Sequence, residues 1–335
     1  MRKQLLLLAE LLISLAIIAA VLYLVDVGKV LQVISQANVW FLLAGLVAYF
    51  TINAAMSLRI KIILAEMGHK IPLRAALISN FAGMLVSDFT PARGGYFATA
   101  FALAANHKIP LEKAIVSILG PQMFDFMLKV GAGTIAIIFI LWQLNLGFAS
   151  IVGVAAGVLL LCAMIAFGLL LLFSKRFLML LKILDRVPFG GKVHKILVRM
   201  QENAHAIKRV VPHIVCILAF TWAFKGLEWW LLAMGIGLQP QLTIHPYLFY
   251  LFLQPLITIL QFVPTPTLAG IGVSEAGAAA VLSLFGVPIY EGVAYALLTR
   301  AIMVLLNLVG VDEARKVVRR NLDRIFEGEL AGWEE

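Results

Sequence analysis

The run Pro264-Thr265-Pro266-Thr267-Leu268-Ala269-Gly270-Ile271-Gly272-Val273-Ser274-Glu275 interrupts an apolar stretch from 247 to 287. Asp88-Phe89-Thr90-Pro91-Ala92-Arg93-Gly94-Gly95 interrupts another, from 75 to 106. Proline removes a backbone donor and glycine loosens the chain, so no continuous helix is expected through either run. Pro91, Gly94 and Gly95, and Pro264, Pro266, Gly270 and Gly272, are therefore read as backbone breaks. The surrounding composition gives the breaks their meaning. Hydrophobic residues make up 62% of the 335-residue chain and charged residues 13%, which leaves too few polar side chains to cover a soluble fold. Apolar runs at 5–25, 39–58, 114–142, 148–173, 213–236 and 291–311 are each long enough, at roughly 20 residues, to cross the hydrocarbon of a bilayer. The chain reads as an all-α polytopic membrane protein. The first run is longer than a signal-peptide core and lacks a small-residue cleavage site, so it is expected to be a retained helix.

Positive charge orients these segments. Arg2 and Lys3 precede the first run, Arg59, Lys61, Lys70 and Arg74 follow the second, nine Lys and Arg lie in 174–212, and the C-terminal segment is basic. These belong on the cytoplasmic side. The connections 26–38, 143–147 and 237–246 carry one Lys between them and belong outside. With 114–142 and 291–311 each crossing once, the stretch 75–106 must enter and leave from the inside, and 247–287 from the outside. Two re-entrant hairpins follow, dipping in from opposite faces. The order is an N-terminal membrane half (1–173) with hairpin 75–106, a basic amphipathic linker (174–212), a C-terminal half (213–312) with hairpin 247–287, and a cytoplasmic tail (313–335). Both termini are expected on the cytoplasmic side of a cell membrane. A weak repeat agrees: Ile109-Pro110-Leu111-Glu112 after the first hairpin matches Val287-Pro288-Ile289-Tyr290-Glu291 after the second, 178 positions on. The two halves are therefore expected to be inverted-topology repeats, as in many transporters.

No soluble-enzyme motif is present, and the six histidines show no ligand spacing, so neither a metal nor another cofactor is expected. Cys162 and Cys216 sit in apolar runs and read as small hydrophobes. The residues that stand out are ionisable groups inside apolar segments, which are costly there and usually face a cavity or each other. Asp125 and Lys129 are four apart on one helix, and Lys225 and Glu228 three apart on another; each pair could neutralise itself along its helix. Glu275 opens the return arm of the second hairpin, where a carboxylate either caps the half-helix or binds a proton, a cation or a lipid amine. Arg93 at the first hairpin tip and Arg300 mid-helix offer bidentate donors for a phosphate; for Arg300, pairing with Glu275 is the competing reading. Trp222, Trp229 and Trp230 read as an interfacial aromatic belt.

Taken together these residues resemble the transmembrane, flippase-like domain of lysylphosphatidylglycerol synthetases and its stand-alone prokaryotic relatives, over about 5–312. The most specific part is the run from Pro264 to Glu275, followed by Gly286-Val287-Pro288 and a helix bearing Arg300. Pro91-Ala92-Arg93-Gly94-Gly95 looks like the family's Pro-x-Arg-x-Gly segment, and Arg59 and Asp125 fall where its pattern has them. The chain departs at Leu268-Ala269, where Pro-Gly or Gly-Gly is common. Tyr96 and Phe97 replace a Glu-x-x-Arg, and Pro121-Gln122 stands where Glu-Arg precedes Asp125. The resemblance implies lipid translocation by a non-enzyme: Arg93, Arg300 and Arg59 hold the lipid phosphate, while Glu275 and Asp125, with Lys129, Glu228 and Lys225, balance charge or bind a proton or amine. The implied partners are a phospholipid or lipid-linked phosphate and anionic inner-leaflet lipids, not nucleic acid, with a homodimer left open. About 24 residues follow the last expected span, so aminoacyl transfer is not carried over. The alternative is an integral-membrane enzyme or accessory subunit of polyprenyl-phosphate or glycolipid metabolism.

Overall fold

The computed structural model describes residues 26–90, 95–143, 174–180, 205–262 and 272–326, with isolated positions between 159 and 202. The expected spans 5–25 and 148–173, most of the linker, and the break residues Pro91, Arg93, Gly94, Pro264, Pro266 and Gly270 lie outside the described residues or in that sparsely described stretch. The described chain is helical, and no strand occurs among the described residues.

The helices are α1 (Val27–Ser35), α2 (Val39–Glu66), α3 (Leu73–Asp88), α4 (Ala98–His107), α5 (Leu111–Gln143), α6 (Lys175–Leu180), α7 (His205–Gly235), α8 (Pro246–Phe262), α9 (Val273–Ser283), α10 (Ile289–Asn307) and, after a 3₁₀ turn, α11 (Val311–Phe326). Among the described residues, four segments are long and apolar enough to cross a membrane: Val39–Glu66, Leu111–Gln143, Ala206–Gly235 and Ile289–Arg319. Their outer faces expose Trp40, Val47, Ile135, Ile138 and Leu305, surface suited to lipid rather than water. The protein is therefore a multi-pass helical membrane protein.

Both apolar stretches divide into two helices where the sequence breaks. α3 ends at Asp88 and α4 starts at Ala98, and the two pack side by side. Gly95 sits so close to the end of α3 that a Cβ there would lie 2.6 Å from the Val86 backbone, so no other residue fits. Its N–H donates to Thr90 Oγ1 at 2.6 Å, closing the turn. In the second stretch Gly272 precedes α9 with φ +87°, a conformation glycine adopts without strain.

Three connections differ from the sequence reading. The stretch 26–38 contains α1, capped by Asp26, with Val30 buried against Ala279, Val293 and Ala294. α7 starts at His205, inside the segment read as linker, because Ile207, Val210 and Ile214 form one apolar stripe buried against α2 and α5. Arg59 was counted among loop charges, yet α2 continues to Glu66 and buries it at 3% exposure.

The residues after 312 do not form a loose tail up to 326. α11 lies against α3 and α4, with Ala314 packed on Ala82 and Leu85 and Val317 on Ala98 and Ala102. Asn106 donates to Glu313 across that contact. Gly310 makes the approach possible, since a Cβ there would sit 2.2 Å from Ala82 N and 2.5 Å from Phe81 C. Those are backbone atoms and cannot step aside. Gly310→Ala is expected to cost about 1–3 kcal/mol or more through overpacking, read as a lower thermal midpoint in detergent and faster proteolysis of α11.

Candidate functional site

Buried polar residues concentrate midway along the long helices. On α7, Thr221 and Glu228 are buried, with Lys225 between them, separating the apolar stripe around Ile207 and Ile214 from the cluster around Trp229 and Leu232. On α5, Asp125 and Lys129 separate Ile118 from Phe139 in the same way. Two polar compartments open at this level.

The larger is a chamber of about 290 Å³ between α2, α3, α5, α7 and α8, with Tyr96 and Phe97 at its edge. Its centre is ionic. Asp125 Oδ2 meets Lys129 Nζ at 2.5 Å, and Asp125 Oδ1 meets Lys225 Nζ at 3.7 Å. Gln122 Nε2 donates to Asp125 Oδ2 at 3.2 Å, and the positive charge of Arg59 also acts on Asp125. One carboxylate thus neutralises cations from two helices. The sequence leaves open whether Lys225 and Glu228 neutralise each other along α7; in the fold Lys225 Nζ reaches across to Asp125 on α5. Glu228 is 2% exposed and lines the chamber, and its Oε1 has no hydrogen-bond partner among the described residues. Gln254 donates to Thr258 Oγ1 at 2.8 Å, leaving its own Oε1 facing the same space without a partner.

The smaller compartment, about 30 Å³, is lined by Asp88, Ser274, Glu275, Thr299 and Arg300. Arg300 Nε donates to Glu275 Oε1 and Arg300 Nη2 to Ser274 Oγ at 2.9 Å. Glu275 Oε2 accepts from Gly272 N at 2.7 Å and from Ser274 Oγ at 3.0 Å. Glu275 thus caps α9 and at the same time pairs with Arg300. In this state Arg300 is engaged and the space around it too small for a phosphate.

Trp229 and Met303 line both compartments and form the partition between them. Trp229 is only 6% exposed and meets Tyr295 edge to face; Tyr295 OH donates to the Trp229 carbonyl at 3.0 Å. This corrects the reading of Trp229 as part of an interfacial belt: α7 is surrounded at this depth, so the ring faces protein.

Sequence reasoning missed a third group of polar residues. Tyr49 OH donates to Asn307 Oδ1 at 3.1 Å, Asn307 Nδ2 to Asp88 Oδ2 at 2.7 Å, and Asn80 Nδ2 to Asn53 Oδ1 at 2.9 Å. These bonds tie α2, α3 and α10 together. The available signal was a lone amide in each of three apolar helices, since such groups must find partners inside the fold. Among the described residues, no three His, Cys, Asp or Glu gather into a metal-binding group.

A multi-pass helical fold with charged groups held in its interior defines a polytopic membrane domain. The chain belongs to the family described as the lysylphosphatidylglycerol synthase transmembrane region, which matches residues 7–310. That family is a membrane domain with a lipid-related function. No curated protein matches the chain.

Proposed function

We propose that the protein is a lipid translocase that moves a phospholipid or lipid-linked phosphate between the leaflets of the cell membrane. The observation that carries the reading is the ion-lined chamber buried between helices that are apolar on their outer faces. A head group has a wet, charged place to sit while its chains stay in lipid, which is where costly intramembrane charge acquires a use.

In this mechanism the head group enters the chamber and its phosphate draws Lys129 and Lys225 from Asp125, with the charge of Arg59 behind them. Arg300 is a second station beyond Trp229 and Met303, reached when phosphate replaces Glu275. Arg93 serves as a further phosphate contact at the first hairpin tip.

The helix neighbours support two inverted halves with re-entrant hairpins. α5 packs on α8 as α10 packs on α3; α2 packs on α3 as α7 packs on α8; α4 packs on α5 as α9 packs on α10. Exchanging the halves converts each contact into its mate. The 178-residue offset also sets Phe97 opposite Glu275 and Gln122 opposite Arg300. The first half has thereby lost the ion pair that closes the smaller compartment, and the chamber is the space left open. The positive-inside bias of the basic segments favours both termini on the cytoplasmic side.

Leaflet exchange in proteoliposomes tests the proposal, using fluorescent phosphatidylglycerol, an aminoacylated lipid and a polyprenyl phosphate as probes. Exchange of at least one probe faster than in protein-free vesicles, and slowed by Asp125→Asn, is the expected result. No exchange of any probe by monodisperse protein would reject the reading in favour of an accessory role beside a lipid-modifying enzyme.

A further inference from the structure

We infer that Glu228 is a proton-binding site of the chamber, loaded when the chamber is as seen here and linked to occupancy by an anionic head group. The linkage rests on the chamber being the head-group site; the proton site itself does not.

The argument starts from an imbalance. Glu228 is buried on α7, lines the cavity, has an Oε1 with no partner, and takes part in no ion pair among the described residues. The nearest cation along the helix, Lys225, is held by Asp125 at 3.7 Å; its charge acts on Glu228 without pairing with it. A carboxylate removed from water without a cation or donors is disfavoured, and such a group holds a proton instead.

The facing groups sharpen the point. α5 presents Asp125 and Lys129, which meet each other at 2.5 Å. α2 contributes Tyr49, whose hydroxyl donates to Asn307, and the charge of Arg59, which acts on Asp125. Tyr96 lines the chamber ahead of α4. On the far side Tyr295 of α10 lies within electrostatic reach of Glu228, with the Tyr250 ring of α8 5.8 Å beyond it. Asp125 draws the lysines, so Glu228 keeps its proton.

An anionic phosphate drawn to Lys129 and Lys225 adds negative charge to the same chamber and makes ionised Glu228 still less favourable. Anion and proton therefore bind together, and by linkage each strengthens the other's binding. When the phosphate leaves, Lys129 and Lys225 return to Asp125, and Glu228 holds its proton less tightly. A pH gradient would then drive an anionic lipid toward the less acidic side.

Infrared titration of the purified protein in vesicles is the direct test. A carboxylic-acid carbonyl band that persists at neutral pH in the wild type and disappears in Glu228→Gln is the expected result. Absence of that band, or its survival in Glu228→Gln, overturns the assignment. Gln matches the shape of a protonated Glu, so folding is expected to hold; should it fail, Glu228→Leu removes the carboxyl group and is read by the same band. At the pH where the wild-type band is half lost, short-chain phosphatidylglycerol added in weak buffer is then expected to cause proton uptake by wild type and not by Glu228→Gln. Leaflet exchange without uptake would remove the linkage and leave translocation standing. Uptake without exchange would do the reverse.

Discussion

Asp125→Asn is expected to lower the stability of the protein by about 3–5 kcal/mol, the cost of leaving buried charge uncompensated. The substitution strips the one carboxylate held at 2.5 Å from Lys129 and 3.7 Å from Lys225, and Lys129 is buried beside it. Against a total of about 5–15 kcal/mol for a typical fold, that is a large fraction. The check is a thermal melt in detergent followed by size-exclusion fluorescence. A companion variant separates structure from function: Asp125→Leu with Lys129→Met, Lys225→Met and Arg59→Met removes the charges together, which is often neutral or stabilising. It is expected to melt near wild type and still fail to exchange lipid. Exchange by that variant would show that the ionic centre only holds helices together.

Arg300→Ala is expected to come next, at the lower end of the same range, because Glu275 keeps its bonds from Gly272 and Ser274 when the guanidinium goes. Arg300→Lys is expected to recover only part of the loss. Arg300 reaches Glu275 through Nε and Ser274 through Nη2, and a single ammonium does not reproduce that fork. Melts of Arg300→Ala, Glu275→Gln and the double variant give the coupling between the pair, which for residues in one network is about 0.5–3 kcal/mol. Additive losses would mean that the two side chains act independently, contrary to the contact.

Much of this was legible in the chain. The two breaks follow from Pro and Gly in apolar surroundings, and the helices do end at Asp88 and resume at Ala98, and end at Phe262 and resume at Val273. Asp125–Lys129 was legible because four residues bring two side chains onto one helix face. Glu275–Arg300 was legible as a pairing because each is a lone ionisable group in the same half of an apolar chain. Less visible were the docked α11 and the buried start of α7, since their basic residues read as solvated surface and hide the small apolar stripes beneath. The Asn53–Asn80 and Asn307–Asp88 bonds join residues far apart in sequence, and one sequence without its contacts gives no reason to join them.

The sequence by itself determined that this is a multi-pass helical membrane protein, where its helices break, and which family it belongs to. Those properties rest on local composition: apolar length, missing amides, and the short run from Pro264 to Glu275. The tertiary structure alone decided who meets whom. It set Lys225 against Asp125, left Glu228 Oε1 without a hydrogen-bond partner among the described residues, moved Trp229 from the lipid boundary to the partition between two compartments, and opened a chamber of about 290 Å³ on one side and about 30 Å³ on the other. Helix periodicity limits which residues share a face, whereas the choice of partner across helices depends on packing that no single segment encodes.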